Sequence, residues 1–519
     1  MKFFNLLLFI AFVSATNGSR ILFVAPFTAK SHWLYLQSFV RALLERGHHV
    51  TCITSNPLGD QNYINYTEVL IDPPLNMETL RTQADLFRTS VDFSIAKTWK
   101  IPHFGTTSAE YSLSSRNVQR FLHEKHLHFD LVINEEFFHD VYLMFGYKYK
   151  APTVTIATLG CADFVDRQMG FLTPWSHVPN TLVTYNDDMS FTERWYNSML
   201  SICDWIVRRF IYFPRQNELA RKFFGHLGEI PTVEELTLNI SLALINTHHS
   251  VQAPRPSMPS IVYVGGAHIK PPKPLPADLQ RFIDEAQYGV IYFSLGTVLK
   301  TSQMPADKLQ IVLDSLKMLK QRVIWKYEED KVFMDRLPSN VMIRKWCPQS
   351  DILAHKNVRL FISHAGMFGT FEAIARGVPI LMIPFFGDQH RNAVRAVRAG
   401  YAKILDFNNV SIDLFVNAVN EMMSNASYAN KMNEISSIYS DNVVHPMDTA
   451  MFWIEYIIRH SGAKHLKSHA VKMSWFSYLL LDVLLVNLLI FATFIFLLYL
   501  ALQKCRRKPK STLRDKKTE

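Results

Sequence analysis

The stretch that decides the fold is "ISHAGMFGTFEAIARGVPILMIPFFGDQHRN", Ile362–Asn392. A histidine closes an apolar run, small residues turn the chain, and a short apolar helix follows with one carboxylate, Glu372. Gly377-Val-Pro stops that helix, "ILMIP" reads as a buried strand, and a bare Asp388-Gln389 pair comes after "PFFG". Strand, helix, strand and helix in this order make the repeating unit of a parallel α/β sheet. Ligands of such sheets lie outside the carboxyl ends of the strands. His364 and Asp388-Gln389 both fall there.

The same alternation runs outward in both directions. "GVIYFSLGT", "RVIWKY" and "VRLFISH" read as strands, with helices "ADKLQIVLDSLKML" and "DILAH" between them and "QHRNAVRAVRAG" beyond. Near the N-terminus, "RILFVAPF", the helical "SHWLYLQSFVRALLERG" and "HHVTCITSN" open a second series, which "FDLVINEE" and "APTVTIATL" continue. Between the two series, Gly265–Leu279 packs four prolines into six residues, which stiffens the chain and forbids regular structure. The expectation is α/β: a Rossmann-like domain over 20–264, a linker over 265–279 and a second Rossmann-like domain over 280–460, facing a cleft.

With 519 residues, 48% hydrophobic and 19% charged, the chain exceeds one ordinary core and has room for membrane segments. Lys2, the run "FFNLLLFIAFV" and the exit "SATNGS" read as a secretory signal over 1–19, too short to span a bilayer comfortably. Tyr478–Gln503, "YLLLDVLLVNLLIFATFIFLLYLALQ", is long enough to span with some tilt, with Trp475 and Tyr478 as interfacial aromatics. A juxtamembrane segment, 461–477, leads into this span, 478–503. The tail, 504–519, has eight Lys or Arg against two acidic residues, +6 of the chain's +10. The positive-inside rule puts the tail in the cytosol and the rest in the lumen, a single-pass type I arrangement. That explanation, with little net charge left elsewhere, excludes nucleic acid as a partner class. Lys516 and Lys517 resemble a dilysine retrieval signal of the endoplasmic reticulum, and sequons at Asn65, Asn239, Asn409 and Asn425 agree with lumenal residence. Of the five cysteines, Cys505 falls in the cytosolic tail, and the scattered Cys52, Cys161, Cys203 and Cys347 have no metal-site spacing and read as buried apolar residues.

His364 stands where a helix begins, and a helix N-terminus offers free N–H groups and a positive dipole end to phosphate. Gly366 and Gly369 let an anion approach the backbone. Glu372 is placed for the vicinal hydroxyls of a ribose, and Asp388-Gln389 for those of a second sugar. Upstream, "RKWCPQSDILAH" supplies Trp346 as a stacking face and Gln349 as an amide for the polar edge of a base. The turn "FSLGT", with Ser294, Gly296 and Thr297, suits contact with phosphate or sugar. Each residue taken singly has a plain structural explanation. Together they are ordered like a nucleotide-sugar.

The run "WCPQSDILAHKNVRLFISHAGMFGTFEAIARGVPILMIPFFGDQHRNA" resembles the signature of the UDP-glycosyltransferase family, in its animal membrane-bound UDP-glucuronosyl/UDP-glucosyltransferase branch and most like invertebrate members. The resemblance extends through "APFTAKSHW", "FSLGT", the late apolar segment and the dilysine tail. It implies the GT-B fold, with acceptor on the N-terminal half, UDP-sugar on the C-terminal half and a C-terminal transmembrane helix. Two positions depart from the family pattern. Ala365 stands where His-Gly-Gly is common, which predicts a methyl crowding the phosphate loop. Phe368 replaces a commonly polar residue, leaving the Gly369 N–H as donor.

The resemblance makes His32 of "APFTAKSHW" the general base, since imidazole can take an acceptor proton near neutral pH. A gapless match puts its carboxylate partner on Glu135 in "FDLVINEEFF", with Glu136 and Asp140 as alternatives. The implied reaction is one displacement with inversion, using UDP-sugar as co-substrate and no metal or other cofactor. The expected donor is a UDP-hexose, glucose by resemblance to invertebrate members. The expected acceptor is a small lipophilic alcohol or phenol, as in xenobiotic or endobiotic conjugation. Homo- or hetero-oligomers are compatible with this reading. Two alternatives share the fold: a non-catalytic nucleotide-sugar or lipid binding protein, and a glycosyltransferase acting on a membrane lipid.

Overall fold

The computed structural model describes residues 18–59, 63–75, 87, 94–329 and 336–506. Nearly all of the secretory signal, the pair Lys516-Lys517 and most of the basic tail lie outside the described residues.

Near-continuous apolar runs become strands covered on both faces, as parallel sheets require. The first sheet contains β1 (Arg20–Ala25), β2 (His49–Thr54), β3 (Tyr66–Leu70), β4 (Leu131–Glu135), β5 (Thr153–Ala157), β6 (Leu242–Ile245) and β7 (Ile261–Tyr263). The second contains β8 (Val290–Ser294), β9 (Arg322–Lys326), β10 (Val341–Arg344), β11 (Val358–Ser363), β12 (Ile380–Met382) and β13 (Ala402–Ile404). Their orders are β3-β2-β1-β4-β5-β6-β7 and β10-β9-β8-β11-β12-β13, with parallel pairing throughout. Along β1, Leu22 and Val24 enter one core while Ile21, Phe23 and Ala25 enter the other. Each sheet reverses its strand order once, between β1 and β4 and between β8 and β11. The residues that follow those strands are therefore placed at the two switch points.

The helix Lys30–Glu45 buries Trp33, Leu36, Phe39, Val40, Leu43 and Leu44 on one face, the helical spacing read from its sequence. It stops at Gly47, whose φ of +85° suits a glycine, while the His48 N–H reaches back to the Leu43 carbonyl at 3.1 Å. This helix carries His32 in its first turn and fixes it beyond β1.

One expected boundary needs correction. The helix Pro446–Arg459, placed by sequence in the domain 280–460, buries Ala450, Met451, Ile454 and Ile457 in the core of the first sheet, against residues such as Phe39 and Leu43. Arg46 holds its exposed side through Asp448 and Glu455. The chain thus returns to the N-terminal half after completing the second sheet, and both sheets belong to one compact unit, Met1–Lys467. Truncating Ile454 to Ala would cost about 2–5 kcal/mol.

The other unit, Ser468–Glu519, contains the helix Leu481–Arg506. It runs for 26 residues, and its most apolar 18-residue stretch has a mean hydropathy of 2.7, long and apolar enough to cross a membrane. The helix starts later than the expected 478–503, because Leu480 takes a φ of +55° and separates it from the short helix Trp475–Tyr478. Of the sequons, Asn409 and Asn425 are exposed, whereas the Asn65 amide donates to the Leu44 and His48 carbonyls. Cys52, Cys161 and Cys347 are buried and unpaired.

Candidate active site

A cavity of about 1170 Å³ opens between the carboxyl ends of the two sheets, lined from both halves of the first unit. Its N-terminal wall is aromatic, with Phe27, Trp99, Phe104, Phe137, Phe138 and Phe164. Its C-terminal wall is made of loops and helix starts.

On the N-terminal wall, His32 Nδ1 lies 2.5 Å from Glu135 Oε1, the last residue of β4, and 3.1 Å from Thr158 Oγ1. The Glu135 side chain is fully buried and that of His32 nearly so. Phe27 and Phe137 pack edge-on against the imidazole, with centroids 4.8 and 4.9 Å away. Nδ1 is thus engaged by the carboxylate, and no hydrogen bond among the described residues occupies Nε2. The two alternatives for the acid lie elsewhere. Asp140 accepts from the Tyr212 hydroxyl at 2.9 Å and sits 4.0 Å from Arg208. Glu136 is buried near Asp140; burial first, then Asp140, pushes its carboxyl well above the usual range. Neither touches His32. Of the three acids named from sequence, Glu135 is the one in contact with the His32 ring nitrogen.

On the C-terminal wall, His364 follows β11, and its ring is enclosed by two glycines. A Cβ on Gly296 would fall 2.5 Å from His364 Cε1, and one on Gly366 would fall 2.5 Å from Nε2. Gly296 also holds a φ of +85°, so glycine is required there twice over. Burial first, and then the Lys326 ammonium, pushes the His364 imidazole down to about 4. It is neutral at pH 7 and can donate one N–H to an anion. Beside it starts the helix Met367–Ala375; the N–H groups of Met367, Phe368 and Gly369 have no partners among the described residues. Together with His364 they can cradle an anion such as a phosphate.

Ala365 does not crowd that cradle. It adopts a φ of +64° and is fully buried in the core behind the loop, so its methyl costs backbone strain rather than ligand space. Phe368 crosses to the other half, with its ring 5.1 Å from Tyr35 and 6.1 Å from His32.

The remaining expected donor residues line the same wall, with differences. Gln349 donates to Glu372, which commits one amide hydrogen. Burial raises the Glu372 carboxyl to about 7 against the opposing pulls of Gln349 and Arg376. Trp346 is half exposed, with the Lys30 ammonium 4.5 Å from its ring centroid. Ser294 turns inward and accepts from the Gly296 N–H at 3.3 Å, whereas the buried Thr297 hydroxyl has no hydrogen-bond partner among the described residues. Asp388 accepts from Asn392 at 2.7 Å through Oδ2 and keeps Oδ1 unbonded. Gln389 differs most from expectation: its carbonyl accepts from the Phe385 and Phe386 N–H groups at 2.8 and 3.1 Å, clamping the loop. Only its amide nitrogen is left for a ligand.

Among the cavity residues that escaped the sequence reading are His268, Lys326 and Arg391. His268 comes from the Pro-rich segment, has both ring nitrogens buried without a hydrogen-bond partner among the described residues, and lies 4.0 Å from Glu372. Burial pushes it down to about 4. Lys326 ends β9, and its position at a strand's carboxyl end was the available signal.

Two parallel Rossmann-type sheets, facing one another across a cavity with an anion cradle on one wall, define a GT-B glycosyltransferase. Solved structures share the fold. Glycosyltransferase VinC in complex with DTDP matches with a TM-score of 0.60 at 16% identity, over 85% of this chain and 100% of that one. The calicheamicin glycosyltransferase CalG4 matches with a TM-score of 0.57 at 18% identity, over 86% and 99%. The family model "UDP-glucoronosyl and UDP-glucosyl transferase" matches residues 20–517, and the chain belongs to that family. Among its relatives, UDP-glucosyltransferase 2 of Dactylopius coccus is 35% identical over 95% of this chain and 94% of its own. UDP-glucuronosyltransferase 2C1 of Oryctolagus cuniculus is 30% identical over 90% and 94%. The chain is an enzyme of the UDP-glycosyltransferase class.

Proposed function

We propose that this enzyme transfers glucose from UDP-glucose to a hydroxyl of a small lipophilic acceptor, with inversion. The observation that carries the reading is the His32–Glu135 pair at 2.5 Å, with Nε2 unbonded on the cavity wall opposite the phosphate cradle. In the proposed step the acceptor oxygen bonds to the anomeric carbon while its proton passes to His32 Nε2. The bond from that carbon to the diphosphate oxygen breaks, and UDP departs with the electron pair. Glu135 stabilises the imidazolium, which later returns its proton to solvent. His364, the free N–H groups and Thr297 hold the diphosphate, Glu372 the ribose, Trp346 and Gln349 the uracil, and Asp388 the sugar. The aromatic N-terminal wall suits a lipophilic acceptor.

The glucose assignment draws support from the name of the Dactylopius relative. The apolar helix Leu481–Arg506 and the basic residues that follow it support a single-pass protein of the endoplasmic reticulum with its catalytic part lumenal. Measuring UDP release with phenols and alcohols against several UDP-sugars tests the reading, and binding of UDP without turnover of any acceptor would overturn it.

A membrane-lipid acceptor is a second reading with its own observation. Along the helix Phe191–Val207 and just beyond it, Phe191, Trp195, Met199, Ile202, Ile206 and Phe210 form an exposed apolar stripe at helical spacing. Lipid acceptors in the same assay separate the two: preference for lipids over soluble phenols selects this reading.

A further inference from the structure

Arg391 is the third residue of the helix Gln389–Arg398 and is only 5% exposed, yet it lines the cavity. Its guanidinium makes no hydrogen bond and no ion pair among the described residues, and its Nε is buried without a partner. A buried guanidinium normally sits in a fork with a carboxylate, because an unpaired one loses its hydration without compensation. Asp388 and Asp163 attract Arg391 without forming an ion pair with it, and the acids around it hydrogen-bond other partners. Asp388 takes a hydrogen bond from Asn392, Asp163 from Trp175 and Ser201, and Asp166 from Thr173 and Arg255. Other cations stand close: Arg255 opposes the charge on Arg391, and burial with Arg391 and Arg255 as neighbours pulls the Arg395 guanidinium down to about 9.

The position indicates which part of a ligand would fill the fork. Arg391 lies beyond Asp388 and Gln389, on a different helix from the phosphate cradle. It reaches the opposite half, where a Cβ on Gly160 would stand 3.8 Å from its Nη2. That loop follows β5 and lines the acceptor side. A planar group with two oxygens matches the guanidinium there better than a further diphosphate contact does.

We propose that Arg391 is a carboxylate-binding, specificity-determining residue, and that the productive complex brings a carboxylate to it, on the acceptor or on the donor sugar. The inference rests on the glycosyltransfer reading above. A carboxylate from either source would convert a buried, unpaired charge into a bidentate pair.

The test uses the full-length enzyme in microsomes or detergent. Acceptor arms compare hydroxybenzoates with their methyl esters, all with UDP-glucose. Donor arms compare UDP-glucuronate with UDP-glucose, on one ester. In the wild type, at least one carboxylate substrate should exceed its neutral counterpart in kcat/KM. In Arg391→Gln that ratio should fall at least about thirtyfold, the usual effect of removing one partner of a buried charge pair. Arg391→Lys keeps the charge but not the fork and should fall in between. UDP affinity should stay within about threefold of wild type in both variants, which also reports folding. If Arg391→Gln does not fold, the Lys variant and the wild-type preference still decide. A preference for the acid acceptor locates the carboxylate on the acceptor. A preference for UDP-glucuronate locates it on the donor and overturns the glucose assignment while the Arg391 proposal stands. Absence of all turnover overturns the catalytic reading alone, and the same ratios are then read from dissociation constants. Equal use of acids and neutral counterparts by the wild type, or a loss of UDP affinity in Arg391→Gln as large as the loss in ratio, overturns the proposal.

Discussion

Two histidines face the same cavity from equivalent places in the two sheets, one past β1 and one past β11, yet they are built for different tasks. His32 has a buried carboxylate 2.5 Å from Nδ1 and an aromatic frame that fixes its ring. His364 has two glycines against its faces, a lysine nearby and no carboxylate partner among the described residues, and burial holds it neutral down to about pH 4. The topology supplies the same post at each switch point, and the neighbours decide what the imidazole does there. A paired histidine can take a proton and keep it briefly. An enclosed, unpaired one is a fixed hydrogen-bond donor.

The largest effect that can break this comparison is on turnover. His32→Ala should lower kcat by roughly 10²- to 10⁴-fold in a UDP-release assay, the usual range for loss of a general base. Glu135→Gln should cost less, on the order of 10- to 100-fold, because an amide holds the ring without stabilising the imidazolium. Asp140→Asn sharpens the contrast. Asp140 bonds Tyr212 and neighbours Arg208, so the change should lower the melting temperature while kcat per folded enzyme stays near wild type. A crippled kcat in folded Asp140→Asn, with Glu135→Gln intact, would reassign the acid.

On the other wall the effect should appear in binding. His364→Gln should weaken UDP by at least about tenfold by calorimetry, the worth of a hydrogen bond to a charged group. His32→Ala should leave UDP affinity nearly unchanged. Equal losses in both variants would erase the division between the walls.

The smallest effect is one of pH. The Glu372 carboxyl is raised from 4.5 to about 7, so the empty protein gains stability from its protonation below about pH 4.5 and loses that contribution as pH rises through 7. Ribose hydroxyls donate to the ionised form, so binding releases a proton, and UDP-glucose affinity should rise severalfold between pH 6 and 8. UDP-glucose is the probe because its diphosphate does not titrate in that window. Glu372→Gln should flatten the dependence, and a flat wild-type curve would remove Glu372 from the ribose site.

The C-terminal wall of the cavity was legible because its residues are local. His364, Gly366, Glu372 and Asp388 lie within one strand-helix-strand run, so periodicity and glycines alone fix their places. The fold was legible for the same reason, strand by strand. What sequence could not reveal depends on distant segments meeting. The pattern of Pro446–Arg459 announces a helix, but its docking on the first sheet depends on a core assembled from residues hundreds of positions earlier. His268 enters the site because the Pro-rich segment folds back on Tyr35 and Phe368. Arg391 reads as one more polar position on an amphipathic helix until Gly160 appears beside it. Gln389 shows the reverse error: a motif amide assigned to a sugar spends its carbonyl on holding its own loop.

The pH profile of kcat/KM, recorded for wild type and for His364→Gln, tests most directly which histidine gains the proton. The account predicts that, with UDP-glucose saturating and kcat/KM taken for the acceptor, the acid limb of the wild type does not come from His364. It also predicts that His364→Gln keeps an acid limb of the same shape and midpoint, because His364 is neutral throughout that range. Disappearance of the acid limb in His364→Gln, with retained activity at low pH, would make His364 the titrating base and contradict the account.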